Sequence, residues 1–238
     1  MKNGAFAQSL FAQSVTQMED LDTIRVETDG RVYAYAQAGA SALAAGKIVQ
    51  TAVATDNAHN EALSASQSAA IGDTSLTMTF GGAVTASFFK DGYLWVNDAT
   101  GEGHMYRVMD HPAGTADVKV QLKDPIRVAL VASTSEVSLI QNRQALVVLA
   151  VAATLTGAPI GVPPIAVTAS YYFWNQVKGP AAVLTAGTVV LGNQVCVLTT
   201  DGACAPTATD SVLTSIGMVL RVNATTEYSL VNLAIPGY

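Results

Sequence analysis

The stretch Asn97-Asp98-Ala99-Thr100-Gly101-Glu102-Gly103-His104 is the one segment of the chain that resembles a chemical site. Asp98, Thr100 and Glu102 stand at alternating positions and could offer oxygens to a cation. The spacing departs from an EF-hand loop, however, and a Gly-rich turn between two strands accounts for the same residues. The stretch also lacks the Lys-Ser/Thr ending and following helix of a phosphate-binding loop. His59, His104 and His111 show no His-x-x-x-His pairing, and no Gly-x-Ser-x-Gly elbow presents a serine nucleophile. Paired carboxylates for glycoside chemistry depend on a separation that belongs to the fold, not to sequence spacing. The residues therefore give no reason to expect a metal, a cofactor or an enzyme.

Cys196 and Cys204 are the two cysteines. A hairpin turn at Asp201-Gly202 would set Cys204 opposite Thr199, leaving Cys196 several positions away, so two free thiols are the preferred reading. Charged residues make up 13% of the 238 and apolar residues 50%, which is too apolar for a disordered chain. With a net charge of −6 and a pI near 4.9, the chain lacks the basic footprint of a nucleic-acid binder. No secretory signal is legible, and the longest apolar run, Ala145–Ala153, is too short to span a bilayer. It reads as a strand buried on both faces in a soluble protein made in the cytoplasm.

The elements that would position any site are almost all strands. Residues 1–22 are the exception. Phe6, Leu10, Phe11, Val15 and Met18 recur at spacings that suit one stripe of a short helix. A lone amphipathic segment is marginal in water, so this arm either docks on its own domain or reaches out to a partner. From Thr23 the period becomes two. Val32–Ala36, Lys47–Gln50, Ser75–Phe80, Tyr93–Val96, His104–Val108, Val118–Lys123, Ile126–Leu130 and Glu136–Ile140 read as strands, with Tyr93–Val96 buried on both faces. Ile216–Val222 and Tyr228–Ile235 read as a closing hairpin.

Within Gly161–Leu198, four consecutive aromatics, Tyr171-Tyr172-Phe173-Trp174, must place rings on both faces of a strand. Trp174 is expected in a core or a subunit interface. Short runs after it, including Val189–Leu191 and Gln194–Leu198, are divided by Gly-containing turns as in a small antiparallel barrel or sandwich. The prolines of Gly161-Val162-Pro163-Pro164 mark the best boundary between two halves. The expected architecture is all-β, with two small antiparallel barrel- or sandwich-like domains at 23–160 and 161–238, preceded by an N-terminal arm, helical or not, at 1–22.

Several stretches, in order, resemble the head decoration or cement proteins of tailed bacteriophages. They are Thr28–Tyr35, Ala44–Gln50, Asp91–Gly103, Leu122–Leu130, Tyr171–Ala182 and Glu227–Leu233. The resemblance spans residues 23–235 and fades in the first twenty. It implies a virion protein on the outer surface of an icosahedral head, often a homotrimer, that ties neighbouring major capsid subunits together against the pressure of packaged DNA. Its partners would then be the major capsid protein and itself, with no nucleic acid and no membrane. Phe6, Leu10, Phe11, Val15, Met18, Tyr172 and Trp174 are the expected capsid or subunit interface. Two other readings stay open: a head-fibre or receptor-binding β protein holding a surface glycan on Tyr171, Tyr172 and Trp174, and a virion enzyme such as a wall hydrolase.

Overall fold

The computed structural model describes residues 5–52, 63–64, 67–150, 156–197, 202–207 and 215–238, and among them the chain is all-β with no helix. Three strands come first: β1 (Ile24–Val26), β2 (Val32–Gln37) and β3 (Val49–Gln50). Six follow in a second unit, residues 54–142: β4 (Leu63–Ser64), β5 (Ser75–Thr79), β6 (Tyr93–Asp98), β7 (Met105–Asp110), β8 (Asp117–Leu122) and β9 (Glu136–Ile140). From Arg143 the chain returns to the first unit with β10 (Val148–Leu149), β11 (Pro159–Gly161), β12 (Tyr172–Leu184), β13 (Gln194–Val197), β14 (Cys204–Pro206), β15 (Ser215–Arg221) and β16 (Tyr228–Ala234).

The chain therefore does not divide at Gly161–Pro164. One unit is Met1–Val53 with Arg143–Tyr238, and the other is the segment between. The physical reason lies around Gly161. Ile160 and Val162 are buried, and Val162 exchanges both backbone hydrogen bonds with Gln176, at 2.9 and 3.0 Å. A Cβ on Gly161 would stand 2.4 Å from Asn175 Nδ2, so the chain passes there only as glycine. Pro163 and Pro164 end a core strand; they do not open a linker.

Unit 1 holds a seven-stranded antiparallel sheet in the order β1-β2-β12-β16-β15-β13-β14 and a three-stranded sheet in the order β10-β3-β11. Core clusters mix residues of both: Ile48 and Val162 with Val177, Val183, Val219 and Val231, and Val49 and Val147 with Ala36 and Phe173. Burying one face of each sheet against the other is the stable layering for such strands. Unit 2 is a six-stranded antiparallel sheet, β4-β9-β6-β7-β8-β5, whose two end strands come back into contact, as in a small barrel. Its interior takes every second residue, among them Leu76, Met78, Leu94, Val96, Tyr106, Val118 and Val120.

Most expected strands are present, and the exceptions are instructive. Ile126–Leu130 forms only an isolated bridge, Ala69 to Leu130, because Pro125 leaves the ladder and Arg127 N donates to Tyr106 Oη instead. Tyr93 and Trp95 are half-exposed, so β6 is buried on one face only, the face of Leu94 and Val96. In the apolar run 145–153 only Val148–Leu149 pair as a strand, and 151–153 lie outside the described residues. Val189–Leu191 forms no strand: Val189 is buried, while Val190 and Leu191 are exposed at the turn that begins there.

The return into unit 1 is tied down by a polar chain. The Arg143 guanidinium lies 3.8 Å over the Tyr238 ring, and its Nε donates to Asp22 Oδ2 at 3.0 Å. Tyr238 Oη donates to Asp22 Oδ1 at 2.7 Å and accepts from Gln144 Nε2 at 2.7 Å. Gln144 Oε1 in turn accepts from Asn175 Nδ2 at 3.1 Å. Burial, and next the Asp22 charge, push the Tyr238 phenol above its ordinary pKa, so it remains a donor across the physiological range. Tyr238→Phe is expected to lower the unfolding free energy of unit 1 by about 1–2 kcal/mol, read from the urea midpoint, with the fold retained.

Candidate functional site

The N-terminal segment is a strap, and the expected helix is absent among its described residues. Its backbone instead follows the sheet. Ser14 and Tyr172 exchange hydrogen bonds at 3.0 and 2.8 Å, and Gln13 Oε1 accepts from Thr168 N at 2.7 Å. Gln8 is the peg. Its Nε2 donates to Ala12 O at 2.8 Å and Tyr172 O at 3.0 Å, its Oε1 accepts from Tyr35 Oη at 2.6 Å, and its carbonyl accepts from Trp174 Nε1 at 3.1 Å. A helix would have taken the backbone groups that these sheet contacts use.

The stripe Phe6, Leu10, Phe11, Val15, Met18 is consequently split. Leu10 is buried, and Phe6 packs edge-on against Trp174 at 5.0 Å between centroids. Trp174 is 0% exposed, in a cluster with Leu10, Leu21, Tyr33, Tyr35 and Ala145, and Tyr172 packs on that cluster from its rim. The Arg25 guanidinium lies 5.0 Å from the Phe6 centroid and 5.7 Å from that of Trp174. Burial raises the pKa values of the Tyr33 and Tyr35 phenols above the ordinary range. On the other side of the strap Phe11, Val15 and Met18 face solvent at 61%, 70% and 47% exposure. Trp174 therefore offers no exposed platform for stacking a sugar.

The strap covers only part of one sheet face. Cross-strand register places Trp174 beside Tyr35 and Gln176 beside Tyr33 under the strap. Farther along β12, the rows Pro180–Asn232–Met218–Gln194, Ala182–Leu230–Arg221 and Leu184–Tyr228 lie on the outer face. Met218, Leu220, Tyr228 and Leu230 are all exposed there, which makes a second apolar surface. Sequence reasoning missed it. The alternation of β15 and β16 is legible, but Met218, Leu220 and Leu230 stand where a solvent-facing strand normally has polar residues.

The Asn97–His104 stretch carries a turn held by its own groups and by Ser135. Asp98 Oδ1 accepts from Ala99 N at 2.8 Å, His104 Nδ1 meets Gly101 O at 3.0 Å, and Thr100 O accepts from Ser135 Oγ at 2.7 Å. Among the described residues no three His, Cys, Asp or Glu side chains converge on a metal position. His111 is buried against Phe80 and Phe89, its Nε2 accepting from Phe89 N at 3.0 Å, while His59 lies outside the described residues. The strand register pairs Cys196 with Ala205 and Val197 with Cys204, two residues away from the pairing that a turn at Asp201-Gly202 would give. It sets the two buried thiols on opposite faces, and they are not bridged. Burial pushes the Cys204 thiol up to about 12.

Two measurements check this geometry. Trp174→Ala removes the side chain that strap and sheet share and should cost about 3–5 kcal/mol in denaturant unfolding. Iodoacetamide at pH 8 should label neither cysteine of the folded chain and both after denaturation. No protein-family model, no curated protein and no solved structure matches this chain.

Proposed function

We propose that the chain is a structural protein of a tailed-phage virion that decorates the outer surface of the capsid and cements neighbouring major capsid subunits. The observation that carries the reading is the strap: Phe11, Val15 and Met18 point outward while the reverse side is pinned to the body by Gln8, Ser14 and Leu10. An apolar stripe held in place loses little conformational entropy on docking. Burying each of the three side chains is worth about 1.5–3 kcal/mol. Repeated over a lattice, a contact of that size stabilises the assembled shell, because it binds the shell and not the free subunit. The ordered resemblance of Thr28–Tyr35, Asp91–Gly103 and Tyr171–Ala182 to head decoration proteins supports the same reading.

In this reading the protein acts without catalysis or cofactor. Its second apolar surface, Met218, Leu220 and Leu230, supports a contact between copies, in keeping with a homotrimer. Fractionated virions should contain the chain at a fixed ratio to the major capsid protein. A Phe11→Ser, Val15→Ser, Met18→Ser triple variant should keep the wild-type unfolding midpoint yet bind undecorated heads about 100-fold more weakly or worse. Absence of the chain from the shell fraction, or unchanged binding of the folded variant, would overturn the proposal.

A further inference from the structure

A cavity of about 360 Å³ opens beside β12, between the Ala45-Gly46 turn, the Pro163-Pro164 pair and Tyr228. Its lining includes Arg31, Gly46, Pro163, Gln176, Pro180 and Tyr228. Such a volume accepts one small ring-sized ligand. Three features give the cavity a definite chemistry.

The first is an open acceptor. Gln176 is 4% exposed, and its Nε2 is committed to the carbonyls of Lys178, Gly179 and Pro180 at 3.3, 3.5 and 2.8 Å. Those bonds fix the orientation of the amide, and among the described residues its Oε1 has no protein donor. A ligand seated over it must bring an O–H or N–H, or leave a desolvated acceptor unsatisfied. The second is a donor. Arg31 gives Nε to Asp29 and Nη1 to Tyr33 Oη, at 2.7 and 2.8 Å, and among the described residues keeps Nη2 without a protein acceptor. The third is an aromatic wall beside proline. Gly46 has φ +72° and no Cβ, and an added Cβ would stand 2.5 Å from Tyr228 Cε1. The ring can therefore lie against the backbone and still keep 43% of its residue's surface exposed.

We infer that this cavity is a saccharide-binding pocket that takes a single pyranose unit. A pyranose has an apolar C–H face for Tyr228, Pro163 and Pro180, and the electron-rich face of an aromatic ring attracts such polarised C–H groups. Its rim hydroxyls can donate to Gln176 Oε1 and accept from Arg31 Nη2 together. A simple anion would suit Arg31 but face the lone pairs of Gln176. A purely apolar ligand would satisfy neither. Strand addition by a peptide is closed off, because one edge of β12 is paired with β16 and the other donates Leu184 N to Gly46 O at 2.9 Å.

The inference does not rest on the capsid reading and is tested on the isolated full chain. Isotope-labelled protein is titrated with glucose, galactose, N-acetylglucosamine, rhamnose and glucuronate, and amide shifts are followed by NMR. At least one sugar should bind saturably in the millimolar range and move Gly46, Gln176 and Tyr228. Tyr228→Ala should weaken that binding about tenfold or more, and Arg31→Ala should weaken it too, both with unchanged unfolding midpoints. Three results would each overturn the inference: no sugar of the panel moves those resonances, binding is unaffected by Tyr228→Ala, or a polyproline peptide occupies the pocket in preference to every sugar.

Discussion

The first half of β12 is buried on both faces, and most of unit 1 is arranged to make that possible. Phe173, Asn175 and Val177 face the layer shared with the small sheet, while Trp174 and Gln176 face the other way, against the strap and its neighbours. A strand with rings on both faces must be covered twice, since either face left open would expose a large aromatic. The strap meets that requirement with Phe6 and Leu10 inward and Gln8 satisfying the Trp174 indole and the Tyr35 hydroxyl. The cover stops near Gln176, and from Lys178 onward alternate residues of the same strand reach solvent. The outward side of the strap lies over the covered half, whereas the cavity and the apolar rows lie at or beyond that limit.

The nested connectivity sets a second constraint. β3 pairs with both β10 and β11, so Gln50 meets Val148 and Pro159 although the whole of residues 54–142 lies between them in sequence. Closing so long a loop costs chain entropy, although the cost grows only with the logarithm of its length. An inserted segment that folds on its own core, as unit 2 does around Leu94, Tyr106 and Val120, shortens the effective loop. The Arg143–Asp22–Tyr238 contact then fastens the point of return, using a stacked guanidinium and a charge-assisted bond instead of further apolar area.

Charge is distributed along the same division. Residues 54–142 contain ten Asp and Glu against five Lys and Arg, whereas the rest of the chain has eight against seven. Unit 2 thus carries most of the net charge, which favours a solvated exterior. Unit 1, near neutrality, presents Phe11, Val15, Met218, Leu220 and Leu230 to solvent. Contacts made by such a surface depend on apolar burial and shape more than on ionic steering, so added salt should weaken them little.

The all-β class, the alternation of β5 and β8, the closing hairpin β15–β16 and the aromatic strand around Trp174 were legible from residue order, because a period of two and turn residues act locally. The strap was legible as a separate apolar segment but not as an extended one. Its spacing of three to five fits a helix in isolation, and only hydrogen-bond partners supplied by Tyr172, Thr168 and Tyr35 favour the pinned form. The proline pair at 163–164 looked like a boundary because proline breaks a ladder wherever it stands. Whether the break falls between domains or inside one depends on what packs around it, here Asn175 against Gly161. The nesting of unit 2, the split of the stripe into Phe6 and Leu10 inside and Phe11, Val15 and Met18 outside, and the meeting of Arg31, Gln176 and Tyr228 were decided only in the tertiary structure. Each joins residues far apart in the chain, and local periodicity holds no information about which distant strand will lie beside which.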